Sequence, residues 1–187
     1  DAPGTIHVIN SLSGSLGQGQ LAVLAAECAA LGLDADTTLA AIHEQIPHVR
    51  GYGMVNDMQY AVRGGRMPGW VKSIAEALRL SPIISITPTG RLTLTGALFG
   101  RRKRIERFAR YVLKRIPQGP VEIGIGHAIC EEDARQLERY LRDMVPDIRK
   151  LVVTGLGPGI GAHAGPGTII AFSRPWVSAQ DIASRSN

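Results

Sequence analysis

An α/β fold is predicted: the tail end of a parallel α/β domain, followed by an α+β domain with a mixed sheet and helices on one face. Three observations carry it. Strand-like and helix-like segments alternate along the 187 residues, the mark of helices layered on a sheet. From Pro82 onward the order reads β-β-α-β-α-β-β, which calls for mixed strand directions. The part before it reads β-α-α-β-α, too few strands for a parallel sheet of its own. A boundary near Arg66-Met67-Pro68-Gly69 therefore gives residues 1–66 as the remainder of one domain and 67–175 as a second. Residues 176–187 are polar and read as a loose tail.

The elements follow from residue patterns. Thr5 to Asn10 reads as a buried strand. Gln18 to Leu31 is a nearly all-apolar helix, expected to be buried on most sides, with Gly32 as its stop. Asp34 or Asp36 caps a second helix running to about Val49. Tyr52 to Val55 is a short strand, and Asp57 to Val62 a short helix ended by Gly64-Gly65. Trp70, Ile74, Ala77 and Leu78 share one helical face. Pro82 to Ile86 and Arg91 to Leu98 are strands joined by Thr87-Pro88-Thr89-Gly90, a turn sequence. A basic helix follows, with Ile105, Phe108, Ala109 and Val112 as its inner stripe. Then come strand Val121 to Ile125, helix Glu131 to Val145, strand Leu151 to Thr154 and a final strand Thr168 to Phe172. Ala134, Leu137, Leu141 and Met144 form the inner face of the last of these helices.

Composition narrows the function. A hydrophobic fraction of 44% with 20% charged residues suits a soluble globular protein. Aromatics are 5%, few platforms for stacking nucleic-acid bases, so no nucleic-acid partner is expected. No apolar run approaches the ~20 residues of a membrane span, and no signal peptide is visible. Cys28 and Cys130 lack metal-ligand spacing and read as free thiols in a reducing cytoplasm. The chain opens on Asp1 rather than Met, the expectation for a processed or truncated chain. The net charge of +5 is local. Residues 101–115 hold eight basic side chains and one acidic one, a net +7, which leaves −2 for everything else. Such a run is either a solvated helix face or a surface for an acidic partner.

Several constellations are candidates for chemistry. Gly161-Ala162-His163-Ala164-Gly165-Pro166-Gly167 closes a glycine-rich run that starts at Gly155. It reads as a loop between strands, longer than a hairpin needs, with one titratable side chain in its middle. Ser11-Leu12-Ser13-Gly14-Ser15-Leu16-Gly17 stands between a strand and a helix, a place that suits an anion; an ordinary serine cap would look the same. Ser15 also stands in a degenerate nucleophile elbow, so a serine esterase using Ser15 and His163 is the alternative reading. Gly159-Ile160-Gly161-Ala162-His163-Ala164 formally matches a dinucleotide motif, but a strand rather than a helix is expected next. Arg66, after Arg63-Gly64-Gly65, can grip a carboxylate in two-pronged fashion or merely flank a helix end.

Taken in order, these pieces resemble one family. Val8-Ile9-Asn10-Ser11 is similar to the strand ending in Asp-Ser of the DegV family, with Asn10 in place of Asp. Met58 to Arg66 resembles that family's helix ending in Gly-Gly-Arg. Pro82-Ile83-Ile84, Thr89-Gly90 and the Gly161–Gly167 run, like its Gly-x-His-x-Gly-Pro-Gly, follow with suitable spacing. The resemblance covers about residues 6 to 173 and corresponds to the family's C-terminal two-thirds.

The resemblance implies a bacterial protein that binds rather than transforms its ligand. A long-chain fatty acid would lie between two α/β domains, and some members of the family present its carboxylate to a separate fatty acid kinase. No metal or cofactor is implied. Carried over by position, Ser11 is the hydroxyl donor to the carboxylate, His163 stands close by, Gly165 and Gly167 shape the site, and Arg66 closes or positions it. Arg101, Arg102 and Arg104 are the residues expected to meet a kinase subunit. The family's N-terminal strands and its Thr-Ser-rich loop have no counterpart here, as in a fragment or a reduced relative with an incomplete pocket.

Overall fold

A computed structural model describes residues 4–185. Six strands form one mixed sheet in the order β3-β2-β1-β6-β4-β5. They are β1 (Arg50–Met54), β2 (Leu80–Ile86), β3 (Leu92–Phe99), β4 (Val121–His127), β5 (Ile148–Gly155) and β6 (Ile169–Pro175). β4 and β5 run parallel; the other neighbours are antiparallel. β1 lies between β2 and β6, so the expected division at 66–69 runs between strands that are hydrogen-bonded in one sheet.

Strand alternation sends odd residues of β4 and β6 to one face and even residues to the other. Val121, Ile123, Ile125, Ile169 and Ala171 meet α5 (Arg104–Leu113) and α6 (Glu131–Met144). The inner stripes expected for these helices are in place: Ile105, Phe108, Ala109 and Val112 are buried on α5, and Ala134, Leu137 and Leu141 on α6. Truncating Phe108, which has no exposed surface, to alanine would cost about 3–5 kcal/mol.

The opposite face carries α1 (Ser15–Ala30) over β4 and β6 and α4 (Gly69–Ala77) over β2. α2 (Ala35–Gln45) packs on α1. Asp34 caps it by accepting the Thr37 amide proton at 2.8 Å, and Gly32 turns the chain with φ +77°. α3 (Met58–Arg63) is capped in the same way by Asp57, which accepts from Gln59 N at 2.9 Å.

Five expectations need correction. Thr5 to Asn10 is not a strand, and Ile6 and Val8 are exposed. A strand needs a hydrogen-bonded neighbour, and no strand among the described residues lies beside it. α1 buries a single stripe, Leu21, Leu24 and Cys28, with Gln20, and exposes Val23. α4 turns Val71 and Ala75 inward and leaves Trp70, Ile74 and Leu78 more than 45% exposed; periodicity locates an apolar stripe but not what covers it. The glycine run contains α7 (Pro158–Ala164). Its first residue is proline, whose missing N–H costs nothing there, and Gly165 at φ +75° ends it. The polar tail contains α8 (Ala179–Arg185), with Ala179 and Ile182 buried against the α1–α2 layer. Ser178 and Asp181 form a reciprocal cap: Ser178 N donates to Asp181 Oδ2 at 3.0 Å and Asp181 N to Ser178 Oγ at 3.1 Å.

Candidate functional site: an apolar chamber beneath α7

The site is built on a glycine pattern. Phe172 of β6 lies in register between Gly51 of β1 and Gly124 of β4. Ile170 lies in the same way between Gly53 and Gly126. Leu16 and Leu156 fill the space over Gly124 and Gly126, whereas Gly51 and Gly53 leave the β1 side open, with Ile170 and Phe172 of β6 rising beside it. The signal in the sequence is Gly51-Tyr52-Gly53 and Gly124-Ile125-Gly126, glycines at period two on the two strands that flank β6, a pattern the sequence analysis does not use.

The result is a chamber of about 220 Å³. Val55, Met67, Ile84, Ile160, Ile170 and Phe172 are among its apolar walls, and Ser15, Arg66, His163 and Thr168 supply polar groups. No Asp or Glu lines it. A second chamber, about 520 Å³, adjoins it and shares Gly51, Tyr52, Ser85, Ile86 and Phe172. Its own residues include Ser11, Ser13, Thr87, Thr93 and Thr95.

The expected site residues fall in three places. His163, in the last turn of α7, and Arg66 line the first chamber. Arg66 Nη1 donates to the Gly64 carbonyl at 2.6 Å, which holds the guanidinium at the end of α3. Ser11 lines the second chamber instead, and its hydroxyl donates to the Ser13 carbonyl at 3.1 Å. Gly165 and Gly167 line neither chamber. A side chain at Gly165 would come within 2.6 Å of the Tyr60 ring, and one at Gly167 within 2.7 Å of the Asn56 amide, at φ +75° and +78°. These glycines let the segment after α7 close over α3.

The basic helix divides as well. Arg101 and Arg102 are exposed. Arg104 is engaged inside the fold, donating to Asn56 Oδ1 at 2.7 Å and to Asp133 Oδ2 at 2.5 Å. Asn56 Nδ2 in turn donates to the Pro166 carbonyl at 3.5 Å.

A serine hydrolase is not assembled here. Ser15 and His163 line the same chamber, but among the described residues no hydrogen bond joins them, and no carboxylate in the lining orients the imidazole. Among the described residues no helix is long and apolar enough to cross a membrane.

An α/β protein with an apolar chamber between its sheet and a short helical layer is thus defined. The chain belongs to the DegV family: that family's model, described as an uncharacterised protein family, matches residues 2–174. A DegV domain-containing protein of Caldanaerobacter subterraneus is 31% identical over 162 residues, covering 86% of this chain and 57% of that protein. One from Streptomyces coelicolor is 29% identical, covering 90% and 60%. Among solved structures, a fatty acid binding DegV family protein of Streptococcus agalactiae aligns with a TM-score of 0.78 at 26% identity, over 92% of this chain and 61% of that one. DegV of Bacillus subtilis, a fatty acid binding protein, aligns with a TM-score of 0.74 at 25% identity, over 90% and 60%. The chain spans a little over half the length of the relatives it matches.

Proposed function

We propose that this chain binds a long-chain fatty acid, with the acyl chain in the apolar chamber and the carboxylate at Arg66 and His163. The make-up of the chamber carries this reading: apolar walls, one guanidinium, one imidazole and no competing carboxylate. The fatty acid binding proteins of S. agalactiae and B. subtilis, similar in fold and sequence, support it. Each buried methylene contributes about 0.8 kcal/mol, so a long tail needs few polar contacts. Gly165 and Gly167 serve the site at one remove, by seating Tyr60 and Asn56, and Ser11 serves it from the neighbouring chamber. The role is that of a cytoplasmic binding protein rather than a catalyst. It presents the carboxylate to a kinase that docks on the exposed Arg101 and Arg102.

Mass spectrometry of the purified protein, native and then denatured, tests the reading. Wild type is expected to release about one fatty acid per chain, or to take up palmitate when loaded. His163→Ala should weaken binding by about 10- to 100-fold, the loss of one hydrogen bond to a charged group. Ser11→Ala should weaken it less, because that hydroxyl is bonded within its own turn. A wild-type protein that stays empty after loading overturns the reading. Equal losses in the two variants would move the carboxylate to the strip between the chambers.

A further inference from the structure

Phe172 stands where the two chambers meet. Of the five residues they share, Gly51 has no side chain, Ser85 a small one, and Tyr52 packs its ring on Tyr111 of α5, at 5.7 Å between centroids. That leaves Ile86 and the larger Phe172 to close the gap. The ring is held on two sides. Gly51 of β1 lies so close that any side chain there would occupy the ring, and a side chain at Gly17 of α1 would come within 2.7 Å of it. Phe172 is 5% exposed. A ring wedged between two backbones is a fixed wall and not a swinging gate.

We propose that Phe172 sets the length of acyl chain this protein accepts. The inference rests on the fatty-acid reading above. The first chamber, about 220 Å³, falls below the roughly 300–1,000 Å³ of ordinary ligand sites. Joined to the second, about 520 Å³, it falls inside that range. A tail entering from Arg66 and His163 meets the Phe172 ring as its end wall. A longer tail must displace a ring pinned between the backbones of Gly51 and Gly17, or coil within the first chamber. Removing the ring joins the chambers and gives the extra methylenes apolar surface along Val49, Ile46 and Ile86.

The test is displacement of a fluorescent fatty acid by saturated acids from decanoic to eicosanoic, using wild type, Phe172→Ala and Phe172→Leu. Wild-type affinity should rise with length, reach a limit and fall. Phe172→Ala should move that limit to longer acids, with a gain of about fourfold for each added methylene that finds apolar room. Phe172→Leu should lie between. Circular dichroism establishes that each variant is folded. If Phe172→Ala is not, Phe172→Leu, which keeps most of the volume, decides the matter. The same optimum length in the folded variants and wild type overturns the role of Phe172 while leaving fatty-acid binding intact. Wild type that displaces with none of the acids overturns the fatty-acid reading itself.

Discussion

The imidazole of His163 lies against the backbone of Gly64 so closely that any side chain at position 64 would occupy the place of Nδ1. The Gly-Gly pair after α3 thus has two separate jobs. Gly65 has φ +69° and open space around it. Gly64 has φ −78°, a conformation open to any residue, and is small only because His163 needs the room.

The two glycines therefore predict different outcomes. Gly64→Ala should push the His163 ring out of the chamber, costing about 1–3 kcal/mol of stability through overpacking and weakening fatty-acid binding as well. Gly65→Ala places an alanine in the left-handed region, a cost of about 1–2 kcal/mol, but leaves His163 in place. Its thermal midpoint should fall while its affinity holds. Titration with palmitate beside a melting curve separates the two. Equal affinities in both variants would remove His163 from the site.

This division shows how far the sequence could be read. His163, Arg66 and the Gly-Gly pair were legible because each carries unusual chemistry in a short segment. The strands and helices from β2 to β5, and β6 itself, were legible because alternation and 3.6-residue spacing are local signals. The chamber was not, since it depends on strand order. Gly51 and Gly124 flank Phe172 only once β6 is inserted between β1 and β4, and no local pattern specifies that insertion. α7 was hidden by its glycines, although Pro158 and Gly165 punctuate it as a helix. The expected strand at Thr5 to Asn10 fails for a related reason: its residues favour a strand, but a strand is a property of a pair.

On the same sheet face, further toward the α1–α2 layer, a buried ion pair makes a prediction about pH. Arg174 Nη2 lies 2.5 Å from Glu122 Oε2, and both side chains are nearly inaccessible. Burial raises the Glu122 carboxyl above its ordinary value, and the charges of Arg174 and Lys150 pull it part of the way back. A group raised in the folded state favours folding while protonated, and that contribution is lost as pH climbs through its folded value. Arg174→Met removes the opposing charge, so Glu122 should rise further. The variant should lose about 3–5 kcal/mol at neutral pH, where an unpaired carboxylate stays buried. The deficit should shrink as pH falls and the carboxyl takes up its proton. Urea unfolding of wild type and variant at pH 7 and pH 5 measures this; a deficit that grows toward acid would contradict it.

The basic helix makes the last prediction, because its arginines are not equivalent. Arg104 joins α5 to α6 through Asp133 and reaches the segment after α7 through Asn56. Arg104→Glu breaks both bonds and sets two carboxylates side by side, so it should cost about 1.5–3 kcal/mol. Because Asn56 also lies under Gly167, the same change should loosen the closure of the chamber and lower fatty-acid affinity. Arg101 and Arg102 are exposed, and surface changes of this kind stay within about 0.5 kcal/mol. The double variant Arg101→Glu, Arg102→Glu should therefore melt and bind palmitate like wild type, while losing association with any acidic partner in a salt-dependent pull-down. Charge reversal at all three positions together would confuse docking with folding. A fall in palmitate affinity from the Arg101/Arg102 pair alone would show that these side chains belong to the chamber rather than to a docking surface.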